Sequence, residues 1–145
     1  MHDAATEQEE LLSMVTPQDV LSFGLIPELI GRLPIITPLL PLDVDQMVRI
    51  LTEPKNAIVK QYQHLFELEG AQLEFTQDAL QTFAEHAMER GTGARALRAV
   101  IDGYMLDLMF DLPDMENAGV TYVLDRKAIE SRSSLKELAR RSKTA

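Results

Sequence analysis

The sequence contains no cysteine, which excludes disulfide scaffolds, thiolate zinc sites and cysteine nucleophiles. It also has no apolar run approaching the roughly 18 residues that indicate a membrane span. The acidic N-terminus lacks the apolar core of a secretory signal. Apolar residues make up 46% of the 145 positions, enough for a packed core. We therefore expect a globular protein in a reducing, cytoplasmic compartment, with one ordinary domain or a small domain and an extra segment.

The sequence has few positive charges, and its formal net charge is −9. An acidic body does not suit nucleic-acid binding, which needs a basic face, so we expect neither nucleic-acid nor membrane partners. The charge is uneven, because residues 1–12 are acidic and residues 131–145 are basic. We expect 131–145 to be a disordered, solvated tail.

Two signatures of ATP hydrolysis are also missing. No stretch fits the G-x-x-x-x-G-K-[ST] loop that cradles phosphates, and no apolar strand ends in Asp-Glu to hold Mg²⁺. Phosphoryl transfer depends on these parts, so we expect the chain alone to be inactive as an ATPase.

Prolines cluster between positions 27 and 41, where four of the seven prolines lie. Because proline breaks helical and ladder hydrogen bonds, this stretch predicts a linker or a domain boundary. Pro27 predicts the start of a short helix that Gly31 ends. The following segment, LPIITPLL, is apolar and β-branched, which predicts a short strand.

A mostly helical pattern follows the proline cluster. Asp43 and Gln46 have capping-box spacing, and Pro54 predicts the first position of the next helix. AQLEF and GVTYVL predict two strands, and Thr76 predicts the cap of the helix after the first strand. Roughly 40–130 is therefore an α+β unit, mostly helical with a small sheet.

The segment GTGARALR, residues 91–98, predicts a tight turn that leads directly into a helix. Arg95 falls in the first turn, where a cation is unfavourable by about 0.3–1 kcal/mol. No carboxylate lies within one helical turn of Arg95, so it is a candidate phosphate ligand beside free N–H groups. The alternative is an ordinary surface arginine, or one paired with a distant acid, which the pattern alone slightly favours.

The segment PELIGRLP, residues 27–34, places Arg32 after a glycine that we expect to end the helix. In a loop, this guanidinium is free to reach a phosphate across an interface. The alternative is a salt bridge to Glu28, which the sequence pattern alone favours.

Other polar residues give weaker signals. His2, His64 and His86 have no metal-ligand spacing, so we expect no metal site. Asp107 and Asp111 have the spacing of a carboxylate pair, but a solvated helix face is the simpler interpretation.

Taken together, these segments resemble the C-terminal part of the ClpX family of AAA+ unfoldases. The resemblance rests on FGLIPELIGRLP, on EPKNA followed by KQYQ, and on GTGARALRAVIDGYMLDLMFDLP, in that order. It implies that residues 1–38 are the end of a large AAA+ domain and that 39–130 are the small, sensor-2 domain. Because the phosphate loop of the family is missing, we expect the sequence to be a piece of a longer protein.

The resemblance also implies functional roles. Arg95 matches the sensor-2 arginine, which contacts the phosphates of ATP or ADP, and Arg32 matches the arginine finger, which acts on the nucleotide of a neighbouring subunit. Magnesium would accompany the nucleotide in the intact protein. Expected partners are identical subunits in a hexamer, substrate proteins and the ClpP peptidase. The alternative from another class is a stand-alone interaction module that regulates an intact AAA+ ATPase.

Overall fold

The computed structural model describes residues 10–33 and 35–142, and side chains as far as residue 139. The chain divides into two units, Met1–Pro41 and Leu42–Ala145. The predicted roles of residues 1–38 and 39–130 stay predictions.

The described part of the first unit is helical at residues 10–13 and in α1 (Pro17–Phe23) and α2 (Pro27–Arg32), each of which begins with proline. The prediction that Gly31 ends α2 is wrong, because the helix continues through Arg32. The strand predicted for LPIITPLL is also wrong in its described part, since residues 35–40 belong to no strand. Pro38 lacks the N–H group that a ladder requires, which accounts for the difference.

The second unit is helical apart from two short strands. Its elements, in chain order, are α3 (Val44–Thr52), α4 (Ile58–Leu68), β1 (Gln72–Phe75), α5 (Gln77–Glu89), α6 (Ala94–Asp111), a 3₁₀ turn (Leu112–Asp114), β2 (Thr121–Leu124), α7 (Arg126–Glu130) and α8 (Leu135–Ser142). The α+β class with a small sheet is therefore confirmed.

The two strands pair in parallel, with Leu73 opposite Tyr122 and Phe75 opposite Leu124. Parallel strands need a long crossover, which α5 and α6 provide. Tyr122 packs edge-on against Phe66 of α4, with ring centroids 5.7 Å apart. This contact packs α4 against the sheet in the buried core.

Local capping signals place two helix starts correctly. Asp43 accepts a hydrogen bond from the Gln46 N–H at 2.7 Å, and the Gln46 side chain accepts one from the Asp43 N–H. Thr76 caps α5 and also donates its hydroxyl proton to the Leu124 carbonyl. In contrast, the prediction that Pro54 begins a helix is wrong, because α4 starts four residues later, at Ile58.

The prediction that residues 131–145 form a disordered tail is wrong for the described part. This segment contains α8, and Leu135 and Leu138 are almost fully buried. Helix α8 packs against β2, so burial of these leucines stabilises a segment whose polar composition resembles a free terminus. Glu137 also accepts a hydrogen bond from the Ser134 N–H at 3.1 Å.

A membrane span would need a long apolar helix, and the described residues contain none.

Candidate functional site

The start of α6 is formed by a glycine turn rather than by a capping side chain. Gly93 occupies the N-cap position with φ 60° and ψ −145°, a backbone conformation that side chains disfavour. No side chain caps the helix, although α3 and α5 both have side-chain caps. The Ala96 N–H donates to the Gly93 carbonyl at 3.0 Å, which leaves the Ala94 and Arg95 N–H groups of this 18-residue helix without an acceptor among the described residues and able to bind an anion.

Arg95 lies in the first turn of α6 and is exposed. It has no hydrogen bond or ion pair with any residue that the structure describes, whereas Arg98, one turn later, contacts Asp102 at 3.3 Å. The expectation from sequence that Arg95 lacks a local carboxylate is therefore confirmed. Its phosphate-binding role remains a prediction.

An exposed strip runs along α6 from Arg95. Asp102, Leu106 and Phe110 follow at spacings of seven, four and four residues, which places all four on one helix face. Leu106 and Phe110 are 69% and 82% exposed, respectively. The face therefore presents a cation at its start and an apolar patch, defined here as Leu106 and Phe110, near its end.

A hydrogen bond joins this helix to α4. The Tyr62 hydroxyl donates to Asp102 Oδ1 at 2.7 Å, while the other carboxylate oxygen faces Arg98. Burial, followed by the hydrogen bond to Asp102, raises the pKa of Tyr62 well above its usual range. Sequence analysis missed this link, because Tyr62 and Asp102 are 40 positions apart and share no local pattern.

Arg32, the second candidate, is the last residue of α2 and not part of a loop. Its guanidinium contacts Glu28 at 2.9 Å, one helical turn earlier, and both side chains are largely exposed. The salt-bridge alternative from the sequence is therefore present in the structure. An exposed pair of this kind contributes only about 0.3–0.5 kcal/mol, so it does not hold Arg32 firmly.

The weaker candidates form no recognisable catalytic centre among the described residues. His64 contacts Glu67 at 3.4 Å, and both side chains are exposed. Asp107 is exposed and Asp111 is half-buried. His2 lies outside the described residues. Within the described part of the chain, no three His, Asp or Glu side chains converge as metal ligands.

Comparison with known proteins identifies the second unit. A family model for the C-terminal, D2-small domain of ClpB protein matches residues 42–118, about half of the chain. A curated relative, the ATP-dependent Clp protease ATP-binding subunit ClpX of Porphyromonas gingivalis, is 45% identical over 132 residues. That alignment covers 91% of this chain and 32% of the relative, so the chain spans about a third of the relative's length.

These matches agree with the geometry of residues 42–118, a helical unit with a two-stranded parallel sheet. They confirm the predicted resemblance to ClpX and the predicted AAA+ small-domain fold. The chain belongs to the family of Clp AAA+ small domains that the ClpB D2-small model describes.

Proposed function

We propose that this chain is the nucleotide-sensing, ring-packing part of a ClpX-like protein unfoldase, in which Arg95 contacts the phosphates of ATP or ADP. The observation that supports this proposal most strongly is that the Arg95 side chain has no partner among the described residues. It is an exposed, unpaired cation in the first turn of a long helix that has no side-chain cap. A phosphate there would satisfy both the guanidinium and the free N–H groups.

The residues at the start of α6 fit the phosphate part of a nucleotide. The guanidinium of Arg95 and the first N–H groups of the helix are all hydrogen-bond donors, and the phosphate oxygens are acceptors. Bound ATP, with magnesium, would supply the phosphoryl group whose transfer to water drives unfolding. In this proposal, Arg95 binds and orients negative charge and takes no part in proton transfer.

Arg32 has a different role in the proposal, because it would reach the nucleotide of a neighbouring subunit. A hydrogen bond to a charged group contributes about 1.5–3 kcal/mol, more than the exposed pair with Glu28. A phosphate at the interface would therefore draw Arg32 away from Glu28 at little cost. This difference in free energy supports contact between Arg32 and the nucleotide of a neighbouring subunit.

The apolar patch of Leu106 and Phe110 supports the ring-packing role. Large apolar side chains that are exposed next to each other mark interaction surfaces. We assign this patch to contact with a neighbouring subunit in a homohexamer. Substrate proteins and the ClpP peptidase would be engaged by other parts of the assembly.

A chimera offers a functional test. The matching region of the P. gingivalis ClpX relative is replaced by this chain, and ATP-dependent unfolding of a fluorescent substrate protein is measured. Arg95→Ala should lower the unfolding rate at least about tenfold, from the loss of a charge-assisted phosphate contact. Arg98→Ala, on the same helix, is the matched control and should retain most activity. Equal rates in the two variants would rule out the sensing role of Arg95.

A further inference from the structure

A cavity of about 710 Å³ lies between α5, α6, α7 and the residues that follow α7. This volume falls in the range of about 300–1,000 Å³ that is typical of ligand sites. Phe83, Val100 and Ile129 form its floor but are only 1%, 9% and 5% exposed, so polar side chains supply most of its accessible lining. His86, Arg90 and Arg132 surround the floor.

Arg90 and Arg132, like Arg95, have no carboxylate partner among the described residues. In contrast, Arg32, Arg49, Arg98 and Arg126 each form an ion pair with an Asp or Glu four residues away. Arg90 and Arg132 form no hydrogen bond or ion pair through their side chains with any residue that the structure describes. Both line the same cavity, so two guanidinium groups are available to one ligand.

The backbone at Arg132 is a second, independent observation. Its φ is 47°, and no other non-glycine residue in the described chain has a positive φ. The Arg132 N–H donates to the Ile129 carbonyl and the Ser133 N–H to the Ala128 carbonyl, the pattern that ends a helix with a left-handed residue. Gly70 takes this place after α4. Placing an arginine there strains the backbone, and strain of this kind occurs at functional positions.

Acidic groups around the cavity restrict the charge of the ligand. Glu130 is already bound to Arg126, at 2.7 Å, but Glu89 also lines the cavity and has no partner among the described residues. A dianionic phosphate would be repelled by Glu89, whereas a single carboxylate suits two guanidinium groups beside one acid. The size of the cavity favours an organic ligand over an inorganic ion.

We infer that this cavity binds the carboxylate of a peptide-sized ligand, held by Arg90 and Arg132. The carboxylate contacts both guanidinium groups. This site is separate from Arg95 in its lining residues and does not depend on the proposed contact with nucleotide.

An NMR titration of the whole 145-residue chain tests the inference, with N-acetyl-leucyl-leucine as the probe. We expect saturable shifts of the Arg90 and Arg132 Nε–H signals. The same peptide with an amide in place of its carboxylate, and inorganic phosphate, should each bind at least about tenfold more weakly. Equal binding of the amide peptide, tighter binding of phosphate, or no saturable shift at either arginine would overturn the inference.

Variants separate binding from folding. Arg90→Gln and Arg132→Gln should each weaken binding of the peptide about tenfold, while Arg49→Gln, which removes a paired arginine elsewhere, should not. Arg132→Gly should weaken binding equally but unfold at or above the temperature of the parent chain, because glycine relieves the left-handed strain. Parent-like affinity in Arg132→Gly would overturn the inference.

Discussion

Arg95 and Arg98 differ in their surroundings, although both are exposed arginines on one helix. Arg98 has a carboxylate at 3.3 Å, whereas Arg95 has none and lies beside uncapped N–H groups. The same comparison explains why the sequence alone could not decide whether Arg95 is a phosphate ligand or an ordinary surface arginine. The missing local carboxylate was visible in the sequence, but the absence of a distant partner depends on the fold.

Two variants separate the role of the Arg32–Glu28 ion pair from the role of the Arg32 guanidinium itself. In the chimera, Arg32→Ala should permit ATP binding but lower hydrolysis at least about tenfold, because a trans phosphate contact is lost. Glu28→Gln breaks the same ion pair but keeps the guanidinium, so its hydrolysis should match the parent. ATP turnover assays decide between them. If both variants lose hydrolysis equally, the ion pair matters and the trans contact does not.

Tyr62 gives a prediction for alkaline stability. Burial and the bond to Asp102 raise the pKa of Tyr62, so the unfolded chain loses this proton first as pH rises above about 10. The native state then binds more protons than the unfolded state, and stability falls with rising pH. Urea unfolding from pH 8 to 11 should show a shallower decline for Tyr62→Phe than for the parent. Identical slopes would contradict the assignment.

At the scale of elements, the helix starts were predictable wherever one side chain closes a local hydrogen bond. Asp43 and Thr76 show this, since each accepts from an N–H group three residues ahead. The parallel pairing of β1 and β2 was not predictable, because their register depends on packing across α5 and α6. The helix start predicted at Pro54 was wrong because proline suits a turn as well as a first helical position.

The missed element was α8, although the sequence contains a signal for it. Ser134 and Glu137 have capping-box spacing, and Leu135 and Leu138 fall on one helix face. The basic composition of the segment outweighed this signal in the sequence analysis. Burial against β2, which composition does not reveal, makes the helix part of the fold.

Stability measurements can test the assignment of α8 to the core. Leu138→Ala should lower the free energy of unfolding by about 2–5 kcal/mol, because it leaves a cavity against β2. Lys136→Ala, an exposed change in the same helix, should alter the free energy of unfolding by no more than about 0.5 kcal/mol. Urea denaturation of the three proteins provides the comparison. A disordered tail would leave both variants as stable as the parent.

For the molecule as a whole, the apolar patch on α6 has a consequence for assembly. In the chimera, Phe110→Ser should raise the concentration needed for ring formation at least about fivefold, through loss of an interface aromatic residue. Leu68→Ser removes a large apolar side chain that is likewise exposed, at 69% against 82% for Phe110, but lies on α4, and this variant should assemble normally. Sedimentation over a concentration series measures both. Normal assembly of the Phe110 variant would contradict the assignment of this patch.

Equilibrium binding of a non-hydrolysable ATP analogue to the chimera shows whether Arg95 contacts the nucleotide phosphates. Arg95→Ala should weaken binding about 10–150-fold, from the loss of about 1.5–3 kcal/mol, while Arg98→Ala should bind like the parent. Parent-like affinity in Arg95→Ala would show that Arg95 does not contact the phosphates.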